Sequence, residues 1–164
     1  MSRPNYQLAA MTYEEAQRVI DRGAVALLPC GATEAHGPHL PLDTDVIIAV
    51  EAAERAASRL AREDIVAVVL SPIAYSVADF AESFGGTITL PSDVVRGYVR
   101  AVCQGAINAG FRGVVLCNAH LEPQNLEVLR SVSVESLSRG LRVHFPDITR
   151  KPHALRLGEE FRSG

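Results

Sequence analysis

The chain has 164 residues, a formal net charge of -3 and 21% charged residues, the size and composition of one ordinary globular domain. That charge offers no basic surface to nucleic acid, no apolar run is long enough to span a bilayer, and Met1–Ala10 lacks the apolar core and cleavage site of a secretory signal. Cys30, Cys103 and Cys117 are odd in number and form no C-x-x-C pair, so neither disulfides nor cysteine zinc sites are expected, and the protein reads as cytoplasmic with no nucleic-acid or membrane partner.

In chain order, Thr12 followed by Glu15 predicts a capping box that opens a first helix to about Arg22, with Gly23 ending it. Ala24–Pro29 is a short apolar run, read as a buried strand. A loop rich in glycine and proline follows from Gly31 to Asp43. Thr44 is placed to cap a long helix to about Arg62. Val46, Ala49, Val50, Ala53, Ala57 and Leu60 keep helical spacing on one face of it, and Glu51, Glu54, Arg55 and Arg59 occupy the other.

Ile65–Leu70 is the second predicted strand. A long loop carrying Phe84, Gly85, Gly86 and Thr87 leads to a helix that starts at Pro91–Ser92 and ends near Gly110. Gly113–Cys117 is the third strand. Pro123, suited to the first turn of a helix, opens a helix that stops at Gly140, and Leu141–Phe145 is the fourth strand. Pro152–Gly164 is a candidate final helix. Apolar strands alternating with amphipathic helices predict a three-layer α/β/α sandwich with a mainly parallel central sheet. In such sheets ligands bind beyond the carboxyl ends of the strands.

Two polar clusters fall at such ends. Glu34 and His36 are two residues apart, which in extended chain puts both side chains on one side. Asp45 lies at the far end of a turn-rich loop able to fold back to them. His120 and Glu122 repeat the two-residue spacing directly after the third strand. Imidazole and carboxylate ligands suit zinc, manganese or iron. Two such ions can hold a hydroxide between them, lowering the pKa of water from about 16 to about 7, and can polarise a carbonyl. The structural reading of the same residues is a local turn in which Asp43, Thr44 or Asp45 caps the following helix, with Glu122 merely favourable at a helix N-terminus. Two ligand pairs at two strand ends weigh toward metal.

On these residues the chain resembles the creatininase family. The run Leu28-Pro29-Cys30-Gly31-Ala32-Thr33-Glu34-Ala35-His36-Gly37-Pro38-His39-Leu40-Pro41-Leu42-Asp43-Thr44-Asp45 is similar to the family's signature almost throughout. Phe84-Gly85-Gly86-Thr87-Ile88-Thr89 resembles its F-P-G-T-I segment, with Gly85 where proline is usual, and Asn118-Ala119-His120 resembles its N-G-H motif. The resemblance implies a two-metal hydrolase site with Glu34, His36, Asp45, His120 and Glu122 as ligands and Asp45 as the bridge. It also implies Glu122 as the catalytic carboxylate, Ser76 on the substrate side, and a homo-oligomer, up to a hexamer.

Two departures stand out. Leu121 replaces the tyrosine that creatininase carries between histidine and glutamate, which weakens the case for creatinine as substrate. The chain ends at Phe161-Arg162-Ser163-Gly164, about where the family's H-A-G-x-x-E-T-S motif is expected. His153-Ala154 is only a faint echo of it, so residues 1–164 read as a single creatininase-like domain lacking its C-terminal part. The expected activity is cleavage of a non-peptide C–N bond in a cyclic or linear amide. The alternatives are a catalytically silent binding or oligomerisation module and a peptide-processing hydrolase. His39 is a candidate to support the ligands or to shape the loop. His144 is expected at a packed or edge position in its strand. Tyr75, Asp79 and Glu82 are expected as solvated loop residues.

Overall fold

The computed structural model describes residues 5–150. A single 3-10 turn (Leu8–Ala10) precedes helix α1 (Tyr13–Asp21). The capping box forms as predicted: the Glu15 N–H donates to Thr12 Oγ1 at 3.3 Å, and the Thr12 N–H donates to Glu15 Oε2 at 2.8 Å. Then come β1 (Val25–Cys30), α2 (Thr44–Ala61), β2 (Ala67–Val69) and a 3-10 turn (Asp79–Ala81). The remaining elements are α3 (Ser92–Asn108), β3 (Gly113–Asn118), α4 (Pro123–Ser138) and β4 (Val143–His144). The tail helix expected over 152–164, and His153, lie outside the described residues.

Three local expectations shift. Thr44 is inside the first turn of α2 rather than its cap, and its hydroxyl donates to the Pro41 carbonyl at 2.6 Å. Strand β2 is shorter than its apolar run because the Ile65 N–H closes onto Leu60 O at the end of α2. Strand β4 is shorter because the Leu141 N–H closes onto Ser136 O at the end of α4. In both cases helix termination takes the donor that a sheet ladder would need.

The sheet order is β2-β1-β3-β4, and every pair is parallel. Ala53 and Ala57 of α2 pack on one face against Leu27, Ala67 and Val69. On the other face, Val95, Val99 and Cys103 of α3 join Val128, Leu129 and Val132 of α4 over Ala26, Leu28, Val114, Leu116 and Val143. Val19 and Ile20 of α1 pack against that second cluster. Strand β1 is buried from both sides, which explains its unbroken apolar run. The three-layer expectation holds.

The chain leaves β1 to one side to make β2, then returns past β1 to make β3 on the other side. The crevice between the carboxyl ends of β1 and β3 is therefore the topological switch point of the sheet. His144 lies exposed on the edge strand β4. The three cysteines are free, and burial pushes the Cys103 thiol up to about 12 and the Cys117 thiol up to about 11. Among the described residues no helix is long and apolar enough to cross a membrane.

Candidate metal centre

The crevice at the switch point is a cavity of about 370 Å³ whose lining includes Glu34, His36, Asp45, His120 and Glu122. Glu34 and His36 arrive on the loop after β1, and His120 and Glu122 on the connection from β3 to α4. Asp45 comes from the first turn of α2. Its approach depends on Gly31. A Cβ there would sit 2.6 Å from the Val46 N and 2.8 Å from the Asp45 carbonyl carbon, so only glycine lets the start of α2 lie against the end of β1.

The five side chains converge. His120 Nδ1 lies 2.9 Å from Asp45 Oδ2 and 3.0 Å from Glu34 Oε1. His36 Nε2 lies 3.1 Å from Asp45 Oδ1 and 3.8 Å from Glu34 Oε1. His120 Nε2 is 4.0 Å from Glu122 Oε2. Two overlapping triads, Glu34–His120–Glu122 and Glu34–His36–Asp45, each bring their ligand atoms within 4.8 Å of one another. Glu34 belongs to both triads, while the two oxygens of Asp45 face the two imidazoles.

Glu122 does sit at the N-terminus of α4, as the structural reading had it, but neither it nor Asp43 forms a side-chain cap bond. The Glu122 carboxylate instead accepts the N–H groups of Asp79 (3.2 Å) and Phe80 (3.4 Å) from across the crevice.

Two features test whether a cation fits. Each imidazole is oriented by a backbone carbonyl: His36 Nδ1 bonds Glu34 O at 3.1 Å and His120 Nε2 bonds Val77 O at 2.7 Å. In each ring the second nitrogen is left facing the carboxylates, the tautomer arrangement of metal-ligating histidines. In addition, Asp45 Oδ2 is buried and has no hydrogen bond, despite its short approach to His120. A buried carboxylate oxygen without a donor is costly, and among the described residues no arginine or lysine lines the cavity to offset it. Three carboxylates with two imidazoles make a donor set that a divalent ion would complete.

Titration follows the same geometry. Burial is the main cause raising the Glu34 carboxyl above its usual range, with Asp45 adding to it and the His120 charge opposing. Burial would lower the His120 imidazole, but the Asp45 carboxylate, the Val77 carbonyl and Glu34 outweigh it and hold the ring above its usual value.

Ser76 stands apart from the cavity lining. It is buried, and its hydroxyl donates to Gly31 O at 2.7 Å, tying the loop before the Asp79 turn to the end of β1. His39, Tyr75 and Glu82 are exposed and take no part in the cluster. Asp79 contributes its backbone N–H rather than its carboxylate. Sequence reasoning named Asn118 at the end of β3 only as part of the motif with His120, and missed Asn125 in α4. Asn118 Nδ2 and Asn125 Nδ2 both donate to His120 O, at 2.6 and 3.0 Å. No spacing in the sequence singled out Asn125.

Comparisons with known proteins place this geometry in context. A family model described as Creatininase: Creatinine amidohydrolase matches residues 9–160. A mycofactocin precursor peptide peptidase of Mycobacterium ulcerans (strain Agy99) is 42% identical over 108 residues, covering 63% of this chain and 42% of its own length. A creatinine amidohydrolase of Pseudomonas putida is 30% identical over 118 residues, covering 68% of this chain and 44% of its own length. Among solved structures, one described as "Creatininase Mn" aligns with a TM-score of 0.74 at 22% identity, over 93% of this chain and 63% of that one. At that identity the likeness establishes the fold. The chain spans less than half the length of the curated relatives it matches.

Proposed function

This chain belongs to the creatininase family, and on that footing we propose that it is a metal-dependent amidohydrolase cleaving a C–N bond of a cyclic or linear amide. Glu34, His36, Asp45, His120 and Glu122 would hold two divalent ions, zinc or manganese, with iron as a further candidate. The observation that carries the proposal is the convergence of Glu34, Asp45 and Glu122 on two imidazoles whose other nitrogens are already tied to carbonyls, with one Asp45 oxygen facing each ring. When bound, such ions supply Lewis acidity toward a carbonyl oxygen and make water ionisable near neutral pH.

The chain's own residues do the rest. Glu122, held in place by two backbone N–H donors, is the group proposed to take a proton from water. Phe80, Ala119, Leu121 and Pro123 complete the cavity wall and present apolar surface to the part of the substrate next to the scissile bond. The same proposal includes assembly as a homo-oligomer.

A second reading puts the scissile bond in a peptide. It is favoured by the identity of 42% to the protein named a peptide peptidase, against 30% to the one named creatinine amidohydrolase. It is favoured too by Leu121 and Phe80, which stand 50% and 74% exposed at the lip of the cavity and leave room for an extended chain.

Elemental analysis of protein purified without added metal, followed by an assay of lactams, linear amides and short peptides, tests the proposal. About two ions per chain and metal-dependent turnover that His120→Ala abolishes are expected. Bound metal with no turnover on any of these substrates would move the reading to a silent binding domain. Full activity in His120→Ala would overturn the proposal.

A further inference from the structure

The segment Phe84-Gly85-Gly86-Thr87-Ile88-Thr89 supplies no ligand, yet it touches both halves of the cluster. The Thr87 hydroxyl oxygen accepts the N–H of Ala35, the residue between Glu34 and His36, at 3.0 Å. The Ile88 N–H donates to Thr33 O at 3.0 Å on the same loop. Two residues on, the Thr89 hydroxyl accepts the Ala78 N–H at 2.9 Å and donates to Asp79 Oδ1 at 2.7 Å. The backbone it grips there is the one that holds the other half: Val77 O orients His120, and the Asp79 and Phe80 N–H groups hold Glu122. The turn that delivers both threonines needs glycine at Gly86, which has φ +89° and would place a Cβ 2.5 Å from Leu42 Cδ1.

We infer that Thr87 and Thr89 are positioning residues that hold the Glu34–His36 loop and the His120–Glu122 connection in register with each other. Neither threonine touches a ligand side chain, so each acts through backbone: Thr87 through the Ala35 amide, Thr89 through the 77–80 segment. A carbonyl or amide that orients a metal ligand commonly changes metal affinity when it is displaced. Because both hydroxyls act on backbone groups that connect two ligands, loss of one hydroxyl should disturb two ligands together.

This inference rests on reading the cluster as a metal centre, and titration of the full chain with zinc(II) separates the two. A parent protein that takes up no zinc fails that reading. If the parent binds, Thr87→Val and Thr89→Val, which keep side-chain shape and lose the hydroxyl, are expected to weaken zinc binding about tenfold to a hundredfold. They are expected to leave far-ultraviolet circular dichroism unchanged. The cobalt(II)-substituted valine variants should show a shifted visible spectrum, a signature that a purely structural role would not move. Thr87→Ser and Thr89→Ser, which restore the hydroxyl, should recover affinity to within about threefold of the parent, well inside that loss. Should Thr89→Val not fold, the exposed Asp79→Ala, which frees the Thr89 hydroxyl from its acceptor, decides in its place, and Thr87→Ala does so for Thr87. Folded valine variants, or Asp79→Ala or Thr87→Ala in their place, with the parent's zinc affinity and cobalt spectrum overturn the inference.

Discussion

His120 Nδ1 lies 2.9 Å from Asp45 Oδ2, the first delivered by the connection after β3 and the second by the first turn of α2. The two meet because β1 and β3 are neighbours in the sheet while the chain between them runs out to β2 and back. His120 keeps its other nitrogen on Val77 O, so its Nδ1 is committed to this side. Asp45 spends its second oxygen on His36. A cation placed among them would meet an imidazole nitrogen and a carboxylate oxygen that lack better partners.

Metal should stabilise the fold measurably. At a free concentration a hundredfold above its Kd, a ligand bound only by the folded state contributes about 2.7 kcal/mol. For a domain of this length that raises the melting temperature by about 5–10 °C. Differential scanning fluorimetry with zinc or manganese, then with a chelator, should show the rise and its reversal. Asp45→Asn should abolish the shift, since it removes the carboxylate facing both imidazoles. A metal-induced rise that persists unchanged in Asp45→Asn would place the ion elsewhere.

Gly31→Ala should damage the site and the fold together. The added methyl meets backbone of Val46 and Asp45, not a side-chain tip that could swing away, so α2 must shift. Overpacking of this kind costs about 1–3 kcal/mol. Because Asp45 moves with the helix, metal affinity should fall as well, whereas an exposed change far from α2, such as Glu127→Ala, should leave it unaltered. Urea unfolding and a zinc titration on the same samples check both effects. A variant as stable as the parent and as avid for zinc would contradict the close approach.

Acid should release a second, separate contact. Burial would raise the Asp147 carboxyl, but the Thr149 hydroxyl and amide and the Arg130 guanidinium outweigh it and hold it below the usual carboxylate range. Arg130 Nε and Nη2 both reach Asp147 Oδ2 at 2.7 Å. A carboxylate lowered in the folded state stabilises the protein fully above its unfolded value of about 3.9 and loses that contribution as pH falls through the folded value. Asp147→Asn should therefore cost about 1–3 kcal/mol at pH 7, and the gap to the parent should shrink below about pH 4. Urea unfolding midpoints of both proteins across pH 3–7 measure it, and a gap that does not change with pH would rule the contact out as the cause.

The order of elements and the identity of the cluster residues were legible in the sequence. Thr12–Glu15, Pro123 and the apolar runs carry local signals, and local signals depend on neighbours a few positions away. The two-residue spacings of Glu34–His36 and His120–Glu122 said that each pair could act together. What the sequence could not say was that the pairs face each other, because this depends on strand order, and strand order comes from non-local packing of β1 between β2 and β3. The ends of β2 and β4 were misjudged for a related reason, since hydrogen bonds closing α2 and α4 took the donors of Ile65 and Leu141. The resemblance implies Ser76 on the substrate side, and the bond of its hydroxyl to Gly31 O came only with the fold. The bracing of the site by Thr87, Thr89, Asn118 and Asn125 was likewise settled only in three dimensions. Hydroxyls and amides find partners by position in space, and chain spacing alone leaves those partners undetermined.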